Sequence, residues 1–404
     1  MKLNLNSTLT WILFIITGVT IFIGYFTIRG EILQSIILCL IPILTLLATK
    51  KNKIQISADT KLWLLLFLLM VISLIYTIEF NYSLKYITWF GFLLIYKICL
   101  DNINDWKKTA FICLYLFSLI HVIATVIYAI RPEFIQSIVK TILPANKALY
   151  NINLYRYGAI AGICADHGTN AIFISIFIAL SFSLLIKRKK IINIIMTILG
   201  IIALLLTAKR GHLIANIAAM IITFLVNNKN NKKTIKNTVY LSICFIIIII
   251  IIRQFPATNF IFERFASLSE EGNLLNGRDG LYSVMFNSIT NNFILGTGIR
   301  TTLILTGGND GHNIFLQIMT ELGIVGIIIL TFILIKNIFN MIKQRQNIYT
   351  SSSICFQIFF LINGLTGNPL YILYTLVTYF VMTSKNFITI GEGEDNEDRN
   401  INLS

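Results

Sequence analysis

Apolar runs of bilayer length recur along most of the chain, and they constrain its fold more than any other feature. A transmembrane helix needs about 20 mostly apolar residues. The chain is 56% hydrophobic and 13% charged, whereas a soluble domain is about 25% charged. Backbone polar groups inside a bilayer need internal partners, which helices supply. We therefore predict an all-α, polytopic integral membrane protein.

Twelve of these runs are predicted to span the membrane. The first lacks a small-residue cleavage site, so we interpret it as a retained span. The six cysteines show no metal-binding spacing, and we expect neither disulfides nor a metal site. The predicted spans are 8–28, 32–49, 62–78, 82–99, 109–130, 169–186, 191–207, 213–227, 238–252, 323–341, 352–366 and 369–384.

Basic clusters follow every second span and give the orientation, because Lys and Arg concentrate in cytoplasmic loops. Both termini are then cytoplasmic, and the net charge of +15 reflects topology rather than nucleic-acid binding. The clusters are Lys50, Lys51, Lys53 and Lys61; Lys97, Lys107 and Lys108; Lys187, Arg188, Lys189 and Lys190; Lys229, Lys232, Lys233 and Lys236; Lys343 and Arg345.

This topology divides the chain into six segments and leaves two long loops outside. Apolar residues at 281, 285 and 289 predict a surface helix in the second loop, with Asn276 as N-cap and Asp279 in the first turn. The segments are spans 1–5 (1–130), the first outer loop (131–168), spans 6–9 (169–252), the large outer, catalytic loop (253–322), spans 10–12 (323–384) and a disordered cytoplasmic tail (385–404).

The stretch from His312 to Gly326 carries polar groups into the membrane, where they are costly and usually functional. His312 follows a glycine-rich, flexible stretch. Nearby arginines are expected to lower its pKa from about 6.5 and keep the ring neutral, as a general base requires. The alternative is a structural histidine. We expect Glu321 to be a partner of an arginine or of His312 rather than a catalytic acid.

Cations in the outer loops are the second unusual feature. Lys209 and Arg210 share a tight turn and either snorkel to lipid phosphate or clamp a lipid-linked phosphate substrate. Arg278 is either a solvated residue at a helix start or a second guanidinium beside an anion-binding helix N-terminus. Arg156 is either a membrane anchor or a substrate contact.

The remaining candidates carry less weight. Arg264 and Arg300 resemble Arg278 in setting. His121, inside span 5, is expected to hydrogen-bond between helices, and His212 stays open between a structural and a functional role. The sequence has no phosphate-binding loop, nucleophile elbow, zinc-protease helix or Asp-x-Asp pair. Arginines plus one histidine suit a reaction in which a lipid diphosphate leaves a sugar, without metal or cofactor.

At these residues the chain resembles the O-antigen ligase and polysaccharide-polymerase superfamily of bacterial membrane proteins. The resemblance covers the central and C-terminal half, whereas the first five spans match only in hydropathy. The matching elements are the His-Asn…Gln…Glu-x-Gly-x-x-Gly run (312–326), Asn-Gly-Arg (276–278), Asn-x-Ile-x-Gly-x-Gly (292–298), Thr-x-Lys-Arg-Gly (207–211), and Arg156 with Gly158 and Asn170.

The resemblance implies an architecture like that of C-type glycosyltransferases. It implies metal-independent, inverting transfer of glycans from undecaprenyl diphosphate on the outer face of the bacterial inner or plasma membrane. The implied catalytic residues are His312 as base and Arg278 and Arg210 as diphosphate contacts. From the residues themselves we predict Arg156, Lys209, Arg264, Asn313, Gln317 and Glu321 as substrate-binding.

These observations favour a polymerase that joins lipid-linked oligosaccharide repeat units into O-antigen or capsule. A ligase that moves finished glycan onto lipid A–core or another acceptor is the alternative. A flippase for lipid-linked sugar is a third possibility, but a transporter is expected to show repeats and charges near the midplane. The expected partners are the lipid-linked donor, a glycan or lipid-linked acceptor, membrane lipids and a chain-length regulator.

The topology can be tested by labelling with a membrane-impermeant thiol reagent. A cysteine at Gly272, in the second outer loop, is expected to be labelled in intact cells. One at Asn231, between spans 8 and 9, is expected to be labelled only after permeabilisation. A chain without its six native cysteines is the control. Labelling at Asn231 alone would reverse the orientation.

Overall fold

The structure is a computed structural model that describes residues 5–23, 31–48, 54–228, 278–344 and 347–388. Within these ranges the regular elements are all helices, which confirms the predicted all-α class. In chain order they are α1 Leu5–Gly18 with the π-helical turn Val19–Ile23, α2 Glu31–Ala48, α3 Ala58–Ile72 with the 3₁₀ turn Ser73–Ile75, α4 Phe80–Asn102, α5 Lys107–Ile130, α6 Pro132–Ile142, α7 Ala145–Arg156, α8 His167–Arg188, α9 Ile191–Leu206, α10 Arg210–Asn227, α11 Asp279–Asn291, α12 Thr302–Leu305, α13 Ile314–Lys343, α14 Ile348–Asn363, the 3₁₀ turn Pro369–Tyr371, α15 Leu373–Thr383 and α16 Lys385–Ile388.

Six of these helices are long and apolar enough to cross a membrane. Five shorter apolar helices also coincide with predicted spans, and predicted span 238–252 lies outside the described residues. A polytopic membrane protein is therefore supported, while the count of twelve spans stays a prediction. The six long helices are Ala58–Ile75, Phe80–Asn102, Lys107–Ile130, His167–Arg188, Arg210–Asn227 and Ile314–Lys343.

The tail predicted to be disordered from 385 begins instead with the helix Lys385–Ile388, whose Phe387 and Ile388 are buried. Helix α13 begins at Ile314, nine residues before the predicted span 323–341, and the Asn313 side chain caps it by accepting hydrogen bonds from the N–H groups of Phe315 and Leu316. The segment predicted as the first outer loop, residues 131–168, contains the two helices α6 and α7. Pro132 occupies the first turn of α6, where its missing N–H costs nothing.

One basic residue that was assigned to a cytoplasmic cluster is instead structural. Lys97 lies fully buried within α4, and its Nζ is 2.7 Å from Oδ2 of Asp59 at the start of α3. A buried ammonium needs such a partner, because an unpaired charge in a low-dielectric interior is costly. Lys97 therefore gives no information about the side on which a loop lies.

Helix α8 forms the centre of the bundle and packs against α5, α9, α10 and α14. Its residues from Thr169 to Ser183 are buried. Polar groups within this core bond to one another: the amide of Asn216 in α10 donates to the hydroxyl of Ser175 at 2.8 Å. Such pairing removes the cost of placing polar side chains away from water.

Helix α13 is sharply kinked at Gly323, whose backbone has φ 64° and ψ −163°. The kink frees backbone groups that a straight helix pairs internally. The N–H groups of Thr297 and Gly298 donate to the carbonyls of Thr320 and Glu321 at 3.0 and 2.8 Å. In the opposite direction, the N–H of Ile324 donates to the carbonyl of Phe293 at 2.9 Å. The segment 292–298 is therefore hydrogen-bonded across the kink.

Glycines make this close contact possible. Gly296 and Gly323 both have positive φ, and a Cβ on either would collide with the backbone of the opposite segment. The Asn-x-Ile-x-Gly-x-Gly motif and the Glu-x-Gly motif are thus two halves of one backbone junction. The junction fixes the base of the loop that leads to His312.

Gly323→Ala is therefore expected to destabilise the protein. A non-glycine residue in this backbone region costs about 1–3 kcal/mol, and the steric collision adds to that. Thermal unfolding in detergent should show a clearly lowered midpoint. Gly280→Ala in α11 is the matched control, because nothing lies within 4 Å of a Cβ there. Equal unfolding midpoints for the two variants would contradict this account of the kink.

Candidate functional site

The first turns of α10, α11 and α13 meet at one loop, residues 364–368 (Gly-Leu-Thr-Gly-Asn), which we call the 364–368 loop. The N–H of Ile314 donates to the carbonyl of Gly364 at 2.8 Å. Arg278 donates through Nη1 to the carbonyl of Thr366 at 3.1 Å. Gly211 lies against the Thr366 side chain, leaving no room for a Cβ. Three segments that are far apart in the sequence therefore converge here.

His312 immediately precedes the N-cap of α13 and has a left-handed backbone, with φ 49°. His312 is exposed to solvent, and the protein around its ring desolvates it in part. Partial burial lowers the pKa of His312, and the charges of Arg278 and Lys209 lower it further, whereas Asp310 opposes them. The ring is therefore favoured in its neutral form.

The lowered pKa agrees with the direction expected from the sequence, but its causes differ. Burial contributes most, and the second cation that acts on the ring is Lys209 rather than Arg210. The sequence could not distinguish these neighbours, because adjacent residues at a helix start point in different directions.

Lys209 and Arg210 lie at the start of α10. Ala208 has a left-handed backbone with φ 56°, and the N–H of Lys209 bonds to Oγ1 of Thr207 at 3.3 Å. The Lys209 side chain passes beside Gly168 in the first turn of α8. Two helix N-termini, each carrying partial positive charge, therefore lie beside these cations.

Arg278 directly precedes α11, and Asp279 lies in the first turn as predicted. The predicted apolar face is also present, since Met285 and Ile289 are buried and the helix packs on α13. The predicted N-cap Asn276 lies outside the described residues, as does Arg264.

Gln317 and Glu321 are completely buried on the first turns of α13. The Gln317 carbonyl accepts from Asn368 at 2.7 Å and from the N–H of Gly311 at 3.2 Å, and its amide donates to Glu321 at 2.9 Å. The Tyr371 hydroxyl donates to the other Glu321 oxygen at 2.6 Å. These contacts favour a positioning role over the substrate contact expected from the sequence.

Arg156 ends α7 and is exposed. The segment that follows it packs on the end of α9, where the N–H of Ile160 donates to the carbonyl of Leu206 at 3.0 Å. The structure thus brings the backbone after Arg156 next to the turn that carries Lys209.

The other histidines have contrasting surroundings. His121 is buried, with Nδ1 3.4 Å from the Cys164 sulfur and its ring 4.4 Å from that of Phe173 in α8, contacts that agree with the predicted structural position. His212 lies in the first turn of α10 near Phe359. Its buried Nε2 has no hydrogen-bond partner among the described residues.

The 364–368 loop carries no motif that would mark it as part of a site in the sequence. Thr366 and Asn368 offer a backbone carbonyl and a side-chain amide, which carry no catalytic signature. The available signal was compositional: two glycines and an asparagine interrupt an otherwise apolar stretch at the end of predicted span 352–366, and the helix ends there at Asn363.

The fold and the site define a class of protein: a polytopic membrane protein with a cationic, histidine-containing site where several helices begin. A family model described as "O-Antigen ligase" matches residues 195–331. This match confirms the resemblance to the O-antigen ligase and polysaccharide-polymerase superfamily. The matched segment includes Lys209, Arg210, Arg278 and His312. A comparison with curated proteins gave no match.

His312 is expected to titrate below free imidazole. In Arg278→Gln the pKa should rise, because a positive charge that disfavours the imidazolium is removed. Histidine NMR in nanodiscs can measure this, since the chain has four histidines that can be assigned by substitution. Arg188→Gln, an exposed arginine at the end of α8, is the control. An unchanged His312 pKa in Arg278→Gln would show that the charge of Arg278 does not act on His312.

Proposed function

We propose that the protein is a membrane glycosyltransferase that moves a glycan from undecaprenyl diphosphate to a sugar hydroxyl, and that it polymerises lipid-linked repeat units into a surface polysaccharide. One observation carries the proposal. The starts of α10, α11 and α13, which carry Lys209, Arg210, Arg278 and His312, lie around the 364–368 loop. Membership of the matched segment in the superfamily supports the same conclusion.

The donor half of the reaction requires charge neutralisation. As the sugar–phosphate bond breaks, its electron pair goes to the lipid diphosphate. Arg278 and Arg210 can bind phosphate oxygens with two parallel N–H groups, and Lys209 adds a point charge. The N-termini of α10 and α11 add partial positive charge in the same direction. A diphosphate leaving group of this kind needs no added proton.

The acceptor half requires a base. The acceptor hydroxyl attacks the anomeric carbon, a new C–O bond forms, and the hydroxyl proton passes to a ring nitrogen of His312. Direct displacement inverts the anomeric configuration. A positioned base contributes about 10²–10⁴-fold to such a step. The lowered pKa of His312 favours the unprotonated ring that can accept this proton.

Other predicted residues take supporting places in this proposal. Asn313 caps α13, while Gln317 and Glu321 hold the segment before His312. Arg156 is proposed to contact the glycan from the end of α7, and Arg264 remains a predicted substrate contact. The positive-inside pattern supports an extracytoplasmic site with both termini in the cytoplasm. A chain-length regulator remains a proposed partner.

A ligase is the second candidate, because the family description names that activity. Polymerase and ligase share the donor half-reaction and differ in the acceptor. A base placed beside an anion clamp favours either transferase over a flippase, which forms no new bond and needs no base.

The proposed function can be tested with purified protein in proteoliposomes. A synthetic undecaprenyl-diphosphate repeat unit alone should yield a ladder of longer glycans. His312→Gln keeps hydrogen bonding but accepts no proton readily, so its rate should fall by about 10²–10⁴-fold. Excess chelator should leave the wild-type rate unchanged.

The same assay separates the alternatives. Product that forms only after lipid A–core is added would establish the ligase instead of the polymerase. A fully active His312→Gln variant with normal unfolding behaviour would remove His312 as base. Activity lost in chelator and restored by Mg²⁺ or Mn²⁺ would show that a metal neutralises the diphosphate.

A further inference from the structure

Arg300 occupies an unusual position behind His312. Its Nη1 lies 2.9 Å from Oδ1 of Asp310, two residues before His312. The guanidinium carbon lies 5.0 Å from the ring centre of Tyr371 and 5.7 Å from that of Tyr86. The Arg300 side chain is only 18% exposed. An arginine held by a carboxylate and two aromatic rings is fixed in orientation.

The backbone of Arg300 is anchored separately. It is left-handed, with φ 66°, and its N–H bonds to the carboxylate of Glu321. The N–H of Thr302 donates to the same carboxylate at 3.3 Å. Arg300 is therefore tied to α13 through its backbone and to the His312 segment through its side chain.

The loop from Arg300 to His312 is closed at its base and open at its tip. At the base, the Arg300–Asp310 pair joins its two ends, and the N–H of Gly311 donates to Gln317 of α13. At the tip, Gly307 and Gly308 have positive φ, and nothing lies within 4 Å of a Cβ on either. The tip is hydrogen-bonded within itself, since the N–H of Gly308 donates to the carbonyl of Leu303 at 2.6 Å. The Arg300–Asp310 pair adds a link between the two ends of the loop.

We propose that Arg300 is a positioning residue: by pairing with Asp310 it closes the base of this loop and holds His312 beside Arg278. Its effect on catalysis rests on the proposed function, whereas its effect on the surroundings of His312 does not. The Arg300 guanidinium is engaged by Asp310, Tyr86 and Tyr371, so we propose that it acts through His312 rather than on substrate.

Electrostatics gives the pairing a measurable signature. The charged groups that act on His312 are Arg278 and Lys209, which lower its pKa, and Asp310, which raises it. Arg300 offsets the charge of Asp310 from the other side. Without Arg300, the carboxylate charge acts uncompensated and the loop base opens to water. Both effects raise the pKa of His312.

The test compares Arg300→Gln, Arg300→Lys and Asp310→Asn, with Arg188→Gln as the control. Arg300→Gln should raise the pKa of His312 in the NMR titration. It should lower kcat on the order of 10- to 100-fold with little change in KM, because the base is misplaced while donor contacts remain. Arg300→Lys keeps the positive charge. Its kcat and its His312 pKa should therefore lie between those of the wild-type protein and Arg300→Gln.

The double variant Arg300→Gln/Asp310→Asn tests the pair itself. If Arg300 acts through Asp310, the double variant should be little worse than either single variant. Additive losses, or a folded Arg300→Gln protein with unchanged kcat and an unchanged His312 titration, would overturn the proposal.

Misfolding of Arg300→Gln and failure of the proposed function can each be distinguished from failure of the positioning proposal. If Arg300→Gln does not fold, Asp310→Asn decides, because Asp310 is 40% exposed and tolerates substitution more readily. A folded Asp310→Asn protein with wild-type kcat overturns the proposal. If the wild-type protein transfers no glycan, the proposed function fails, whereas the NMR titration of Arg300→Gln still tests the positioning.

Discussion

A fully buried carboxylate, that of Glu321, is the interaction on which the arrangement around the site depends. An uncompensated charge at this depth costs far more than a typical hydrogen bond returns. Here the carboxylate accepts from the Gln317 amide, the Tyr371 hydroxyl and the backbone of Thr302. These donors come from α13, the C-terminal segment and the loop before His312, so satisfying one charge joins three parts of the chain.

The kink of α13 supplies the second constraint, and it works with the first. Because Gly323 interrupts the helix two residues after Glu321, the carbonyl of Glu321 is free to bind Gly298 while its side chain binds Thr302. The backbone and side chain of one residue thus fix both ends of a short segment. That segment carries Arg300, and the chain then continues to His312. A straight helix would leave this loop without its attachment.

The sequence predicted what depends on local pattern and missed what depends on long-range contact. Apolar periodicity predicted the helices, including α11 with its buried Met285 and Ile289. The chemistry of His312 and Arg278 pointed to residues that the structure places around one loop. Periodicity could not reveal that Asn313 caps α13, since a cap acts through its own geometry. Nor could it reveal the contact of Arg278 with Thr366, which joins residues distant in sequence, or the pairing of Arg300 with Asp310 across a turn of the loop.

In the proposed reaction, the cations near His312 both bind the diphosphate and set the pKa of His312. Before transfer, Arg278 and Lys209 disfavour the imidazolium and keep a base available. With the lipid diphosphate bound, its negative charge offsets those cations, so the ring becomes better able to hold a proton as the hydroxyl attacks. When the diphosphate departs, the cations again act on the imidazolium and favour loss of the proton to water. Donor binding and release would thereby set the basicity of His312 at each stage, which gives one group of charges a role in the whole cycle.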